Sequence, residues 1–188
     1  MTPTAIPAAA SSTTTCPVSR TTSIGLALSL TLSAFLVDQV SKRLILDSLR
    51  PGESIPAIPG VLRISYTRND GGAFGILGGQ SDLLLIGSAA AVAVVLWMLL
   101  QAPPTRATAV GCGLILGGAA GNLLDRLVAG DVVDFLDLEF WPLQQWPVFN
   151  AADVAIVLGV VVLFLAALRP ERAVQQPTAA SDRGKAES

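Results

Sequence analysis

The sequence predicts an all-α membrane protein: four transmembrane helices with a small β-containing cap. Three observations predict it. The chain is 52% hydrophobic and 14% charged, whereas a soluble globular domain carries about 25% charged residues. Much of its surface therefore faces something other than water. Apolar residues fall into four runs, each able to form a spanning helix, and mean hydropathy is +0.61. The polar segments between the first and second runs, and between the third and fourth, carry strand and turn signals. The 188 residues suffice for one domain.

Residues 1–22 are rich in Thr, Ser, Ala and Pro and cannot bury enough apolar surface to fold, so they read as a disordered tail. The domain proper is expected over 23–168. Its first span covers about 24–46. Ile24–Val37 alone is short enough for a signal-peptide core, but no small-residue cleavage site follows, and Leu44, Ile45 and Leu46 extend it. The second span, 83–100, ends before Pro103 and Pro104. The third, 108–124, holds Gly111, Gly113, Gly117, Gly118 and Gly121, and small residues let membrane helices approach closely. It is expected at the centre of the bundle. The fourth, 151–168, stops at Arg169 and Pro170, and 169–188 reads as a second disordered tail.

Two segments, 47–82 and 125–150, should form the cap. In the first, Leu62, Ile64 and Tyr66 alternate with polar residues at the period of a half-buried strand. The second holds Trp141 and Trp146, and tryptophan favours the membrane–water boundary. Four spans put both segments on one side of the membrane. The twelve Lys and Arg residues divide evenly between the two sides, so the positive-inside rule gives no orientation.

Composition narrows the chemistry. The chain has no histidine, which removes the Ser-His-Asp triad, the Cys-His pair and the usual zinc sites. No cofactor or metal is expected. A net charge of -2 gives no case for nucleic acid. Cys16 lies in the polar tail and Cys112 in an apolar run, where it reads as a packing residue, so a disulfide framework is not expected. Acid–base chemistry falls to Asp and Glu.

Ionisable residues at membrane depth are costly and are functional candidates by default. Asp134 sits among Val132, Val133 and Phe135, just beyond the third span. Asp153 opens the fourth. If Asn150 is the N-cap, Asp153 lies in the first turn, where the helix dipole favours negative charge. The two acids then arise at the same end of antiparallel neighbouring helices and can face each other. Facing carboxylates in a partly dry site share one proton. The charged member can take a proton from water while the neutral one bonds a scissile carbonyl. Asp131, Asp137 and Glu139 read as solvated cap residues.

Five motifs occur in order: Asp38-Gln39-Val40-Ser41-Lys42; Thr67-Arg68-Asn69-Asp70-Gly71-Gly72-Ala73-Phe74-Gly75; Gly121-Asn122-Leu123-Leu124-Asp125-Arg126; Val132-Val133-Asp134-Phe135; and Phe149-Asn150-Ala151-Ala152-Asp153. Together, across about residues 24–168, they resemble the signature of bacterial lipoprotein signal peptidase, or signal peptidase II. One departure is Gly72, where the family often has alanine.

The resemblance implies a four-helix aspartic endopeptidase of the bacterial cytoplasmic membrane, with both termini cytoplasmic and the cap extracytoplasmic. It would remove signal peptides from diacylglyceryl-modified prolipoproteins, cutting before the lipidated cysteine. The partners implied are that substrate and membrane lipid. The catalytic dyad falls on Asp134 and Asp153. Asp38, Lys42, Asn69, Gly72, Asn122, Asp125, Arg126 and Asn150 match substrate-binding or site-supporting positions. Physical readings stay open for several. Asp38 and Lys42, four apart on a helix, can pair as interfacial structure. Asp125 and Arg126 can be interfacial residues, although the planar guanidinium also suits substrate carbonyls or lipid phosphate. Asn122 can donate into the bundle, and Asn69 either anchors substrate backbone or closes its own turn. The competing readings are a small proton- or cation-coupled transporter or channel, and a structural membrane subunit. The first calls for acids within the spans, whereas these cluster at one end.

Overall fold

A computed structural model describes residues 19–70, 81–101 and 105–168. Within them run α1 (Arg20–Ser48), β1 (Ser54–Ile58), β2 (Leu62–Asn69), α2 (Ser81–Gln101), α3 (Arg106–Ala129), β3 (Val132–Leu138), a short 3-10 turn (Leu143–Gln145) and α4 (Ala151–Ala167).

Local chemistry sets the helix ends. Ser19 caps α1 by accepting the Thr22 N–H at 3.1 Å, so residues 20–22, expected in a disordered tail, are helical. Thr105 caps α3 in the same way through the Thr108 N–H at 3.0 Å. This helix runs five residues past its expected end, to Ala129, and Gly130, with a φ of 80°, supplies the left-handed C-cap. Asn150 caps α4 in a reciprocal capping box with Asp153, as the sequence predicts. The remaining tail residues and Gly72 lie outside the described residues.

The order β1-β2-β3 forms an antiparallel sheet. Only β2 was legible beforehand. In the β2–β3 register Thr67 lies opposite Asp134 and Asn69 opposite Val132, with a bulge between Ile64 and Thr67. Phe149 then bridges to Leu136, with its N–H 3.0 Å from the Leu136 oxygen and its own oxygen accepting the Leu136 N–H at 2.7 Å. That bridge places the start of α4 beside β3.

Helix α3 packs against α1, α2 and α4, the central position its glycines predict. Two faces of small residues do this. A Cβ on Gly117 would come 2.5 Å from the Thr31 oxygen of α1, and one on Gly113 would come 2.7 Å from the Ala27 oxygen. On the other face, a Cβ on Gly118 would collide with the Ala152 carbonyl of α4, and Gly159 returns the contact against the Gly111 oxygen at 2.6 Å. Large apolar side chains point outward instead: Leu28, Leu32 and Leu36 on α1, and Val157, Val161 and Phe164 on α4. Small and charged groups inside with bulky apolar groups outside suit a lipid solvent. By length and composition α1 and α3 can cross a membrane, while Ile86–Gln101 and Ala151–Ala167 are apolar and shorter.

Gly118→Ala should destabilise the fold by about 2 kcal/mol, because backbone must shift to admit the methyl group. Gly25→Ala, with open space around it, should not. Thermal unfolding of both variants in detergent checks the contrast.

Candidate active site

The polar residues collect at the end of the bundle under the sheet. From α1, Asp38 and Lys42 pair at 2.8 Å, one helical turn apart. Both are buried, at 0% and 3% exposure. The ammonium also meets Asp125 Oδ2 at 2.8 Å and Asn122 Oδ1 at 2.9 Å, both on α3. Asp38 Oδ1 accepts the Ala152 N–H of α4 at 3.0 Å. It thereby satisfies a helix-terminal donor that has no partner within its own helix.

The two candidate acids sit on this base. Asp134 does not come from a helix end, as the sequence suggested, but from the middle of β3, where it is 3% exposed. Its Oδ2 accepts the Asn69 amide at 2.9 Å and its Oδ1 the Asn150 amide at 2.6 Å. Asn69 reaches it as a diagonal cross-strand neighbour on the same face. Asp153, half-buried, accepts the Asn122 amide on Oδ1 at 2.9 Å and the Asn150 backbone N–H on Oδ2 at 3.1 Å. Asn150, fully buried, thus donates to both carboxylates. It also donates to Asn122 Oδ1 at 3.1 Å.

Burial pushes the Asp134 carboxyl up to about 6; the hydrogen bond from Asn69 opposes this and the neighbouring Asp153 charge adds to it. Arg126, half-buried, donates to the Asn122 carbonyl at 3.4 Å and lies within electrostatic reach of Asp153, Asp134 and Asp125.

Of the residues singled out in the sequence, Asp38, Lys42, Asn69, Asn122, Asp125, Arg126, Asp134, Asn150 and Asp153 come together here. Gln39 was missed as a site residue. Its amide donates to Asp38 at 3.2 Å and to Asp125 at 3.1 Å, tying the two carboxylates that flank Lys42. The acids read as solvated are paired instead. Asp131 takes both its bonds from Arg68 at 2.9 Å, Asp137 accepts from Ser65 at 3.0 Å, and Glu139 binds Arg63. These pairs pin β2 to β3 and to the turns beside it. Cys112 is buried and free, as a packing residue should be.

Comparison with known proteins bears on this geometry. A family model described as signal peptidase (SPase) II matches residues 30–169. The chain belongs to the signal peptidase II family. A lipoprotein signal peptidase of Halalkalibacterium halodurans is 42% identical over 142 residues, covering 75% of this chain and 90% of that protein. One from Moorella thermoacetica is 40% identical over 144 residues, covering 76% and 93%. A bacterial membrane enzyme solved by the in meso method at 2.3 Å superposes with a TM-score of 0.71 at 28% identity, over 87% of this chain and 96% of that one. Signal peptidase II is an aspartic endopeptidase of bacterial membranes, so this chain is an enzyme of that class, with a membrane-enzyme fold of helices and a small sheet. The transporter and structural-subunit readings fall with that membership.

Asp38→Ala should cost about 3–5 kcal/mol, because it leaves Lys42 short of a buried partner and the Ala152 N–H without an acceptor. Arg43→Ala, which breaks an exposed i,i+4 pair with Asp47, should change stability by less than about 0.5 kcal/mol. Thermal unfolding of the two purified variants compares them.

Proposed function

We propose that Asp134 and Asp153 are the catalytic dyad of this signal peptidase II. On this reading the enzyme removes signal peptides from diacylglyceryl-modified prolipoproteins, cutting before the lipidated cysteine. One observation carries it: Asn150 binds one carboxylate through its amide and the other through its backbone N–H. Two acids bridged by one residue in a site this dry titrate as a pair and share a proton. The deeper burial of Asp134 makes it the neutral member. Asp153, less deeply buried and in the first turn of α4 where the helix dipole favours negative charge, takes the role of base.

The chemistry then balances with water alone. Water gives a proton to Asp153 as its oxygen attacks the scissile carbonyl carbon, and Asp134 gives its proton to the carbonyl oxygen. When the C–N bond breaks, the leaving nitrogen takes the proton held by Asp153. A hydroxyl of the diol returns one to Asp134, and the pair ends as it began. Every proton moves between water, substrate and the two carboxylates, so no step calls on a metal.

Residues 23–168 form a four-span peptidase domain on the same reading, with both termini cytoplasmic and the sheet and dyad at the extracytoplasmic face. In support, α3 runs parallel to α1, with Gly113 at Ala27 and Gly121 at Asp38, α4 runs back along α3, with Gly118 at Ala152 and Gly111 at Leu163, and the Arg20 contact with Leu100 returns α2 beside α1, while the site residues gather beside the sheet. The outward apolar side chains of α1 and α4 offer the substrate's signal helix and the lipid a matching surface. Arg126 and Asn69 border the dyad, where they can hold substrate carbonyls.

Asp134→Asn and Asp153→Asn should each lower cleavage of a lipidated prolipoprotein by at least about a thousandfold, while both proteins still fold and bind substrate. Full activity in either variant removes the dyad. The pH dependence follows from Asp134. The active enzyme keeps that carboxyl protonated, so kcat/KM should fall about tenfold per unit above a limb near pH 6. Bound substrate dries the site further and should move the kcat limb to higher pH. Steady-state rates from about pH 4 to about pH 9 give both curves.

A further inference from the structure

The groups around Asn122 leave its amide one orientation. Its Oδ1 faces two donors, the Lys42 ammonium at 2.9 Å and the Asn150 amide at 3.1 Å. Its Nδ2 faces Asp153 Oδ1 at 2.9 Å. Turned over, the amide would set N–H groups against an ammonium and a carbonyl oxygen against a carboxylate, and each contact would become repulsive. Asn150 cannot turn to relieve this, because its own Oδ1 accepts the Asp153 N–H at 3.0 Å.

The ammonium is fixed from the opposite side. A lysine has three N–H donors, and three acceptors surround this one: Asp38, Asp125 and Asn122. Gln39 holds the two carboxylates in place across it. The direction of donation is therefore set along a chain, from Lys42 to the Asn122 oxygen and from the Asn122 nitrogen to Asp153.

We propose that Lys42 is a positioning residue for cleavage that acts through Asn122, holding that amide N–H on Asp153 and so holding in place the carboxylate that takes the proton from water. This rests on the dyad reading above. The competing account is that Lys42 merely neutralises Asp38 and Asp125 and joins α1 to α3. The two accounts differ in coupling. If Lys42 works through Asn122, its removal does nothing further to turnover once the amide is gone. If it is structural, the two losses multiply.

The test is a double-mutant cycle on the full chain, purified in detergent, with a diacylglyceryl-modified prolipoprotein as substrate. Lys42→Met and Asn122→Ala should each lower kcat by about a hundredfold, the scale of losing one oriented donor, with KM within about threefold. The pair should be no slower than Asn122→Ala alone to within about threefold. Lys42→Gln, whose amide can still donate to the Asn122 oxygen, should recover much of the loss. Rates are expressed per folded enzyme, from thermal unfolding of each variant. Multiplying losses, a Lys42→Met enzyme with unchanged kcat, or a Lys42→Gln no better than Lys42→Met would overturn the proposal. Should Lys42→Met fail to fold, the same cycle is run in an Asp125→Asn background, where one of the two carboxylates that the methionine leaves uncompensated is gone, and multiplying losses there overturn the proposal in the same way. Asp134→Asn and Asp153→Asn accompany the series. Activity surviving in those two overturns the dyad, whereas additivity while they are dead overturns the Lys42 role alone.

Discussion

One buried ammonium joins three of the four helices at their polar end. Lys42 is 3% exposed and Asp38 beside it is fully buried. Removing such charges from water costs several kcal/mol per ion, and attraction offsets that only when the geometry is good and the remaining donors and acceptors are filled. Here they are. Lys42 reaches α3 through Asp125 and Asn122, and Asp38 extends the junction to α4 through the Ala152 N–H. The cluster is thus a structural joint. It is also the surface on which the proposed dyad rests, because Asn122 meets both Lys42 and Asp153.

The sheet adds what a helical bundle could not. A side chain near the C-terminal end of a helix, such as α3 offers here, points back along its own helix. It would have to reach sideways to meet a carboxylate on the next helix. A strand laid across the bundle end presents Asp134 from above instead, and the Leu136–Phe149 bridge sets the start of α4 against that strand. Asn150 follows Phe149 directly. Its capping role on α4 and its bond to Asp134 are therefore consequences of one backbone contact.

Much of this was legible in the sequence. The apolar runs gave the four helices, and Asn150 with Asp153 gave the start of α4. The spacing of Asp38 and Lys42 gave their pair, and the five motifs named the polar residues that the fold gathers at one end of the bundle. The rest was hidden for identifiable reasons. Asp125 and Arg126 made the end of α3 look like loop, because a local pattern does not reveal that Asp125 has a buried partner in Lys42, 83 positions away. Residues 54–58 are exposed throughout and contain Pro56, so β1 shows no alternation. Val132 to Phe135 are all buried, so β3 lacks the period of two that marks a half-buried strand. Gln39 carries no local signal beyond its place in the first motif, since the partner that gives it a role, Asp125, lies on another helix.

The glycines of α3 connect packing to chemistry. A small-residue face on a membrane helix is usually explained by backbone approach alone, and Gly113 and Gly117 fit that account against α1. Gly121 does something further. A Cβ there would occupy the space of the Asp38 carboxylate, so the missing side chain is where the charge sits. Gly118, on the neighbouring face, lets the Ala152 carbonyl close in. That contact brings the first turn of α4 near enough for Asp38 to bind the Ala152 N–H, one residue before Asp153. Without the two glycines the helices would stand apart, the carboxylate would lose its place, and the acids would meet in a wetter, looser site. In such a site the proposed sharing of one proton between Asp134 and Asp153 weakens.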